Sequence, residues 1–244
     1  MYKVGITGGI GSGKSTVCRL FEQNGIAVYD SDARAKALMA EDATLREQLV
    51  AEFGAECYND QGLNRAYLAG RVFGDEVELR RLNGIVHPAV KDDFRRWADA
   101  QRGAYVVLES AILFESGFDA EVDTTLAVMA PMAERLRRTA ERDGTDMEAI
   151  KRRMEHQLSD DELHARAART IVNLRMDYLE SDVEQLHKIY CDEATLKGAW
   201  AARAAGDGDS ECDRRLILRG EPNPVGRCHR GACCAGVGGW SDDI

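Results

Sequence analysis

Gly5-Ile6-Thr7-Gly8-Gly9-Ile10-Gly11-Ser12-Gly13-Lys14-Ser15-Thr16 lies near the start of the chain, and the spacing G-x-x-x-x-G-K-[ST] runs through it from Gly8 to Ser15. The flanks agree with the letters. Tyr2 to Ile6 is a short apolar run suited to a buried strand, and Val17 to Phe21 opens a helical pattern. A strand, a glycine-rich turn and a helix start are the parts of a phosphate cradle. Glycines let the backbone curl until successive N–H groups point at one anion, and the helix N-terminus adds its positive dipole end. Lys14 would then reach the outer phosphates, and the Ser15 hydroxyl would ligate Mg²⁺. The stretch predicts a site for a nucleoside triphosphate.

The 244 residues can bury one full core, or a core with small appended subdomains. A formal net charge of −10 argues against wholesale nucleic-acid binding, which leaves a basic footprint. No apolar run approaches the length of a membrane span, and the N-terminus enters the first strand without a signal peptide. No membrane partner is expected, therefore, and the cytoplasm is the expected compartment. Of seven cysteines, Cys18, Cys57 and Cys191 are scattered and read as reduced, buried thiols. Cys212, Cys228, Cys233 and Cys234 crowd the last part of the chain, where no regular ligand spacing supports zinc.

Apolar runs suited to buried strands alternate with helical stretches. The runs are Tyr2–Thr7, Ile26–Tyr29, Ala104–Glu109, Thr124–Met129 and Thr170–Val172. This alternation predicts an α/β fold, a P-loop NTPase of three layers (α/β/α) around a parallel five-stranded sheet. Residues 33–100 are too long for one crossover helix and are expected to form a helical substrate-binding insertion. The arginine-dense residues 131–169 are expected to form a helical lid, and Met176 to Tyr190 a closing amphipathic helix. The P-loop domain is thus expected over 1–195. Nine of the 23 glycines fall in 197–244 with little apolar periodicity, so 196–244 is expected to be a disordered, glycine- and cysteine-bearing tail.

The second apolar run ends in Asp30-Ser31-Asp32, at the strand end where open α/β sheets bind ligands. Asp32 either N-caps the next helix or acts on substrate. In the functional reading one Asp orients a substrate hydroxyl and the other supports Mg²⁺ or its waters.

With those residues in place, the chain resembles the dephospho-CoA kinase family over roughly residues 1 to 190. The family's T-G-G-I-G-S-G-K-S block is present as Thr7 to Ser15, and its D-[AS]-D block as Asp30-Ser31-Asp32. Its H-P block lies at His87-Pro88, its P-L-L-F-E block is similar to Ala111 to Glu115, and its R-x-x-x-R-D-G block is Arg138 to Gly144. Arg153-x-x-x-Gln157 and Asn173 follow in the family's order. Glu109 and Ala111 stand where the family usually has Asp and Pro. Ala168-Arg169 replace A-D, and Asn173-Leu174-Arg175 replace N-x-G.

The resemblance implies transfer of the γ-phosphoryl group of ATP to the ribose 3′-hydroxyl of dephospho-CoA, the last step of coenzyme A biosynthesis. It implies ATP contacts by Gly8, Gly11, Ser12, Gly13, Lys14, Ser15 and Thr16, and Mg²⁺ ligation by Ser15, Glu109 and Asp30. Lys14, Asp32, Arg138 and Arg142 are the implied catalytic residues. Asp32 and His87 are the implied substrate contacts, although His87 beside Pro88 would equally serve to fix a turn. Arg138 and Arg142, at i and i+4 of a predicted helix, share one face. They either line a solvated surface paired with Glu134 and Glu141 or close over the phosphates. A kinase for another nucleoside or nucleotide, or a nucleotide-dependent regulatory module, is the competing expectation. Oligomeric state leaves no mark in the sequence.

Overall fold

The computed structural model describes residues 1–204 apart from 73, 145, 155 and 156. In chain order β1 (Tyr2–Thr7), α1 (Lys14–Gln23), β2 (Val28–Asp30), α2 (Ser31–Glu41) and α3 (Ala43–Phe53) lead into a small hairpin of β3 (Tyr58–Asn59) and β4 (Gly62–Leu63). Then come α4 (Arg65–Val72), the long α5 (Glu76–Ala100), β5 (Tyr105–Glu109) and β6 (Thr124–Met129). Helices α6 (Met132–Asp143), α7 (Met147–Met154) and α8 (Asp160–Arg166) precede β7 (Arg169–Val172) and the closing α9 (Met176–Ala204).

Five strands pair in the order β2-β5-β1-β6-β7, every pairing parallel. The expected sheet is therefore observed, with small shifts at the strand ends. Strand β2 starts at Val28 rather than Ile26, because Ile26 is buried before the ladder begins and Ala27 O takes the first bond, from Val107 N at 3.0 Å.

The period of two along each strand sorts the core into two layers. Val4, Ile6, Tyr105 and Val107 pack with Val17 and Phe21 of α1 and with Leu179, Val183 and Tyr190 of α9. Tyr29, Val106 and Leu108 face the other way, into Leu38 of α2, Leu49 of α3, Leu68 of α4 and Val90 and Phe94 of α5. Phe94 is fully buried, so truncating it to Ala would cost about 3–5 kcal/mol. Residues 33–100 thus form the second helical layer against the sheet and share its core. Gly5, at the sheet centre, leaves room for this packing, since a Cβ there would sit 2.9 Å from a Leu113 methyl.

Two expectations change. Helix α5 runs unbroken through Pro88, so His87-Pro88 is not a turn, and the helix gives up one backbone donor there. Helix α9 continues to Ala204, so the domain boundary expected at 195 falls inside it. Lys197 lies on this extension, where its Nζ reaches Asp123 at 2.8 Å and Met1 O at 3.2 Å. The remainder of the expected tail, with its four cysteines, lies outside the described residues. Cys18, Cys57 and Cys191 are free thiols, the first two buried. Among the described residues no helix is long and apolar enough to cross a membrane.

Candidate active site

The turn between β1 and α1 is held open from below. Gly13 N-caps α1 with φ 95°, a conformation that glycine adopts without strain, and a Cβ there would collide with Asn173 Nδ2. Gly8 likewise passes against Val128 O, leaving no room for a side chain. Asn173 Nδ2 donates to Ser12 O at 2.9 Å, and Gln157 Oε1 accepts from Ile10 N at 2.9 Å. The N–H groups of Gly11, Gly13, Lys14 and Ser15 have no protein acceptor among the described residues, and no side chain caps α1. Four unpaired donors at a helix N-terminus form a ready anion cradle. Lys14 Nζ rests on Gly8 O at 2.8 Å.

Four charged groups, Lys14, Asp30, Asp32 and Glu109, meet above this turn. Strand register pairs Asp30 with Glu109 at the C-terminal ends of β2 and β5. Tyr29 and Leu108 point into the α2–α5 layer, so alternation turns Asp30 and Glu109 toward α1. There burial, and after it the neighbouring Glu109, pushes the Cys18 thiol up. Burial lowers the Lys14 pKa, although Glu109 and Asp32 oppose the shift. Burial raises Glu109, helped by Asp30 and opposed by Lys14. Burial and then Asp30 raise Asp32, against Lys14 and Lys36. Desolvation outweighs mutual attraction at Lys14, Glu109 and Asp32.

The structure divides the two aspartates differently from one of the readings above. Helix α2 begins at Ser31, and it is Asp30, not Asp32, that caps it, Oδ1 accepting from Ala33 N at 2.9 Å. Asp32 is left in the first helical turn without a capping duty. Its side chain lines a cavity of about 210 Å³ with Met39, Val86, His87, Ser110 and Phe118. His87 reaches this cavity from α5, its ring edge-on to Phe118 and its pKa lowered by burial and by Lys91. The cavity walls are clamped together. Arg34 of α2 grips Asp93 of α5 through two bonds of 2.9 and 3.0 Å, and Tyr29 OH adds a third at 2.7 Å.

On α6, Arg138 Nη2 reaches Asn173 O at 3.3 Å beside Gly13, while its Nε holds Glu134 at 2.9 Å. Arg142 pairs with Asp143, and no contact joins it to the glycine turn among the described residues. Of the pairing expected on a solvated face, Arg138 has Glu134, which it shares with Arg137, while Glu141 pairs with Arg137. Sequence reasoning missed Arg135. It is buried beneath the turn, Nε donating to Ile10 O at 2.9 Å and Nη1 to Asp160 at 2.7 Å, and it fills the space a side chain at Gly9 would need. Continuing the Arg138–Arg142 face back by three residues would have found it.

Comparison with known proteins now bears on this arrangement. The dephospho-CoA kinase family model matches residues 2–177. A dephospho-CoA kinase of Salinibacter ruber is 46% identical over 179 residues, 71% of this chain and 89% of that protein. The chain belongs to the dephospho-CoA kinase family. A Bacteroides fragilis member is 42% identical over 172 residues, 70% of this chain and 84% of its own. A crystal structure of a Thermus thermophilus protein superposes with a TM-score of 0.68 at 35% identity, covering 79% of this chain and 97% of the other. The dephospho-CoA kinase from Campylobacter jejuni shares the fold at a TM-score of 0.57 and 20% identity, over 78% and 98% of the two chains.

The family setting gives the departures at β7 a physical account. Arg169, where the family usually has Asp, donates to Glu193 of α9 and to Thr124 Oγ1 at 3.2 Å. The other Glu193 oxygen accepts from Tyr2 OH at 2.6 Å. In this member of the family a local network of opposite charge thus ties β7 to α9. Asn173, at the start of the altered N-x-G block, donates to the glycine turn at Ser12 O.

Proposed function

We propose that this chain transfers the γ-phosphoryl group of ATP to the ribose 3′-hydroxyl of dephospho-CoA, giving CoA and ADP. The position of Asp32 carries the reading. Its carboxylate interacts with Lys14 of the glycine turn and also lines the largely apolar cavity between α2 and α5. One carboxylate therefore borders both the phosphate cradle and a space fit for a nucleoside.

The N–H groups of Gly11, Gly13, Lys14 and Ser15 receive phosphate oxygens, with Gly8, Ser12 and Thr16 shaping the turn. Lys14 neutralises the transferred group. Asp32 accepts a hydrogen bond from the acceptor hydroxyl and aims its lone pair at the phosphorus. A loose transition state asks mainly for positioning and charge neutralisation, and the raised pKa of Asp32 lets it hold the hydroxyl proton. Arg138, beside Gly13, adds charge from the lid. Arg142 would serve as an outer lid charge on leaving Asp143. His87 completes the acceptor wall.

The donor set suits Mg²⁺. The Ser15 hydroxyl, Glu109 and the oxygen of Asp30 not used in capping are hard ligands on the α1 side of the sheet. Among the described residues no three His, Cys, Asp or Glu side chains are grouped to hold an ion alone. An ion shared between one or two protein ligands and substrate phosphates needs no such group. When bound, Mg²⁺ neutralises charge on the β- and γ-phosphate oxygens. The free thiols Cys18, Cys57 and Cys191 suit a reducing compartment, and we place the activity in the cytoplasm.

The deciding experiment is a coupled ADP-release assay with dephospho-CoA against a panel of nucleosides and nucleotides. Dephospho-CoA should be the preferred acceptor by kcat/KM. Equal or better turnover of another acceptor would make this a nucleotide kinase of different specificity.

A further inference from the structure

The cavity beside Asp32, at about 210 Å³, is below the ~300–1,000 Å³ usual for small-molecule sites, and its walls are chiefly apolar. It can take the nucleoside part of the acceptor and no more. A second, larger groove of about 440 Å³ shares Asn83 and His87 with it and continues along the outer side of α5. The two spaces thus meet at one rim.

The charges of this groove are unequally spent. Arg95 is held by Glu121 and Asp92 at 2.6 and 2.9 Å, and Glu115 accepts from Leu158 N at 3.2 Å. Both lining acids, Asp92 and Glu115, are therefore engaged. Lys91 pairs with no carboxylate among the described residues; its Nζ donates to Gly117 O at 2.9 Å and lies over the Phe118 ring. Arg80 has only a loose 3.5 Å pair with Glu76, both side chains being largely in solvent. One uncompensated ammonium, one weakly held guanidinium and the His87 ring thus surround a groove that opens from the acceptor cavity.

We infer that this groove is the subsite for the diphosphate of the acceptor, with Lys91 as its principal cation and Arg80 as its outer one, so that Lys91 selects acceptors bearing a 5′-diphosphate arm over plain nucleosides. The inference rests on the dephospho-CoA reading above and adds to it the residues that read the arm. The diphosphate would bring Lys91 the anionic partner it lacks within the protein, and the rest of the arm would follow the groove outward.

The test is steady-state kinetics of the full chain with Lys91→Gln and Lys91→Arg, varying dephospho-CoA and ATP separately and using adenosine as the acceptor without a diphosphate. Loss of a charge-assisted bond of this kind costs at least about 10-fold in affinity. Lys91→Gln should raise KM for dephospho-CoA by about 10-fold or more and lower the preference for it over adenosine equally, while KM for ATP stays within a factor of about two. Lys91→Arg should recover most of the loss, which a merely structural lysine would not require. Should Lys91→Gln melt early, Arg80→Gln gives the same test at a solvent-exposed position, with a smaller rise in KM. An unchanged KM for dephospho-CoA, or a parallel rise for ATP, overturns the subsite while leaving the kinase reading intact. Failure of the unsubstituted chain to phosphorylate dephospho-CoA would overturn that reading and the subsite with it.

Discussion

Asp32 shows at the scale of one residue how function strains the fold. Its folded-state pKa is raised by burial and by Asp30, so the folded chain binds this proton more tightly than the unfolded chain does. Ionised Asp32 therefore costs stability near neutral pH, and that cost vanishes as pH falls through the raised pKa. Asp32→Asn should keep ATP binding, lose nearly all phosphoryl transfer, and melt no lower than the parent at pH 7. A clearly lower melting temperature by calorimetry would make Asp32 a structural residue. The pH profile carries a second consequence. Turnover needs Asp32 ionised and Lys14 charged, and burial raises the first pKa and lowers the second. The profile of kcat/KM should accordingly be pinched on both sides, its acid limb above the ~3.9 of a free Asp and its alkaline limb below the ~10.4 of a free Lys. Limbs at the free-residue values would mean that neither group governs the reaction.

At the scale of elements, the relation of α2 to α5 matters most, since one helix carries Asp32 and the other carries Asn83 and His87. The link is Asp93, which takes the Arg34 fork and the Tyr29 hydroxyl. Burial pushes the Asp93 carboxyl up, but those hydrogen bonds outweigh it and hold the pKa below its ordinary value. Its contribution is present above the unfolded pKa near ~4 and is lost as pH falls through the lowered one. Asp93→Ala should cost about 1–3 kcal/mol and raise KM for dephospho-CoA several-fold, with KM for ATP little changed because the glycine turn has its own supports in Asn173 and Gln157. Equal rises in both constants would show general loosening rather than a cleft clamp. This element-level coupling was not legible in the sequence. Tyr29, Arg34 and Asp93 lie on three elements, Arg34 and Asp93 being 59 positions apart, and no local period links them. Arg135 was half legible: the Arg138–Arg142 face leads to it, but an arginine on a charged helix reads as solvated until its partners, Ile10 and Asp160, are known.

For the whole molecule, what was legible came from physics that acts over short spans. The glycine turn, five apolar runs and the D-S-D strand end each carry their signal within a dozen residues, and each is found within two residues of that signal, β2 starting late at Val28 and Ser31-Asp32 already opening α2. The end of the domain behaves differently, because it depends on a contact between the two ends of the described chain. Apolar periodicity fades after Tyr190, yet α9 continues to Ala204, and Lys197 bridges to Asp123, which also accepts from Lys3 N at 2.8 Å. Lys197 thereby ties the last helix to the first strand and to the segment entering β6. The bridge is partly exposed, so it is worth no more than about 1 kcal/mol, or roughly 2–4 °C in a chain of this size. Two truncations separate the end of α9 from the residues beyond it. A chain ending at 204 should retain its kcat, since every residue assigned to the cleft precedes that point. A chain ending at 196 should also retain kcat but melt about 2–4 °C below the chain ending at 204. Equal melting temperatures for the two would show that the apolar contacts of Leu179, Val183, Leu186 and Tyr190 and the Glu193 network suffice to anchor α9, and that the Lys197 bridge contributes nothing. A fall in kcat at 204 would place part of the working site beyond the described fold.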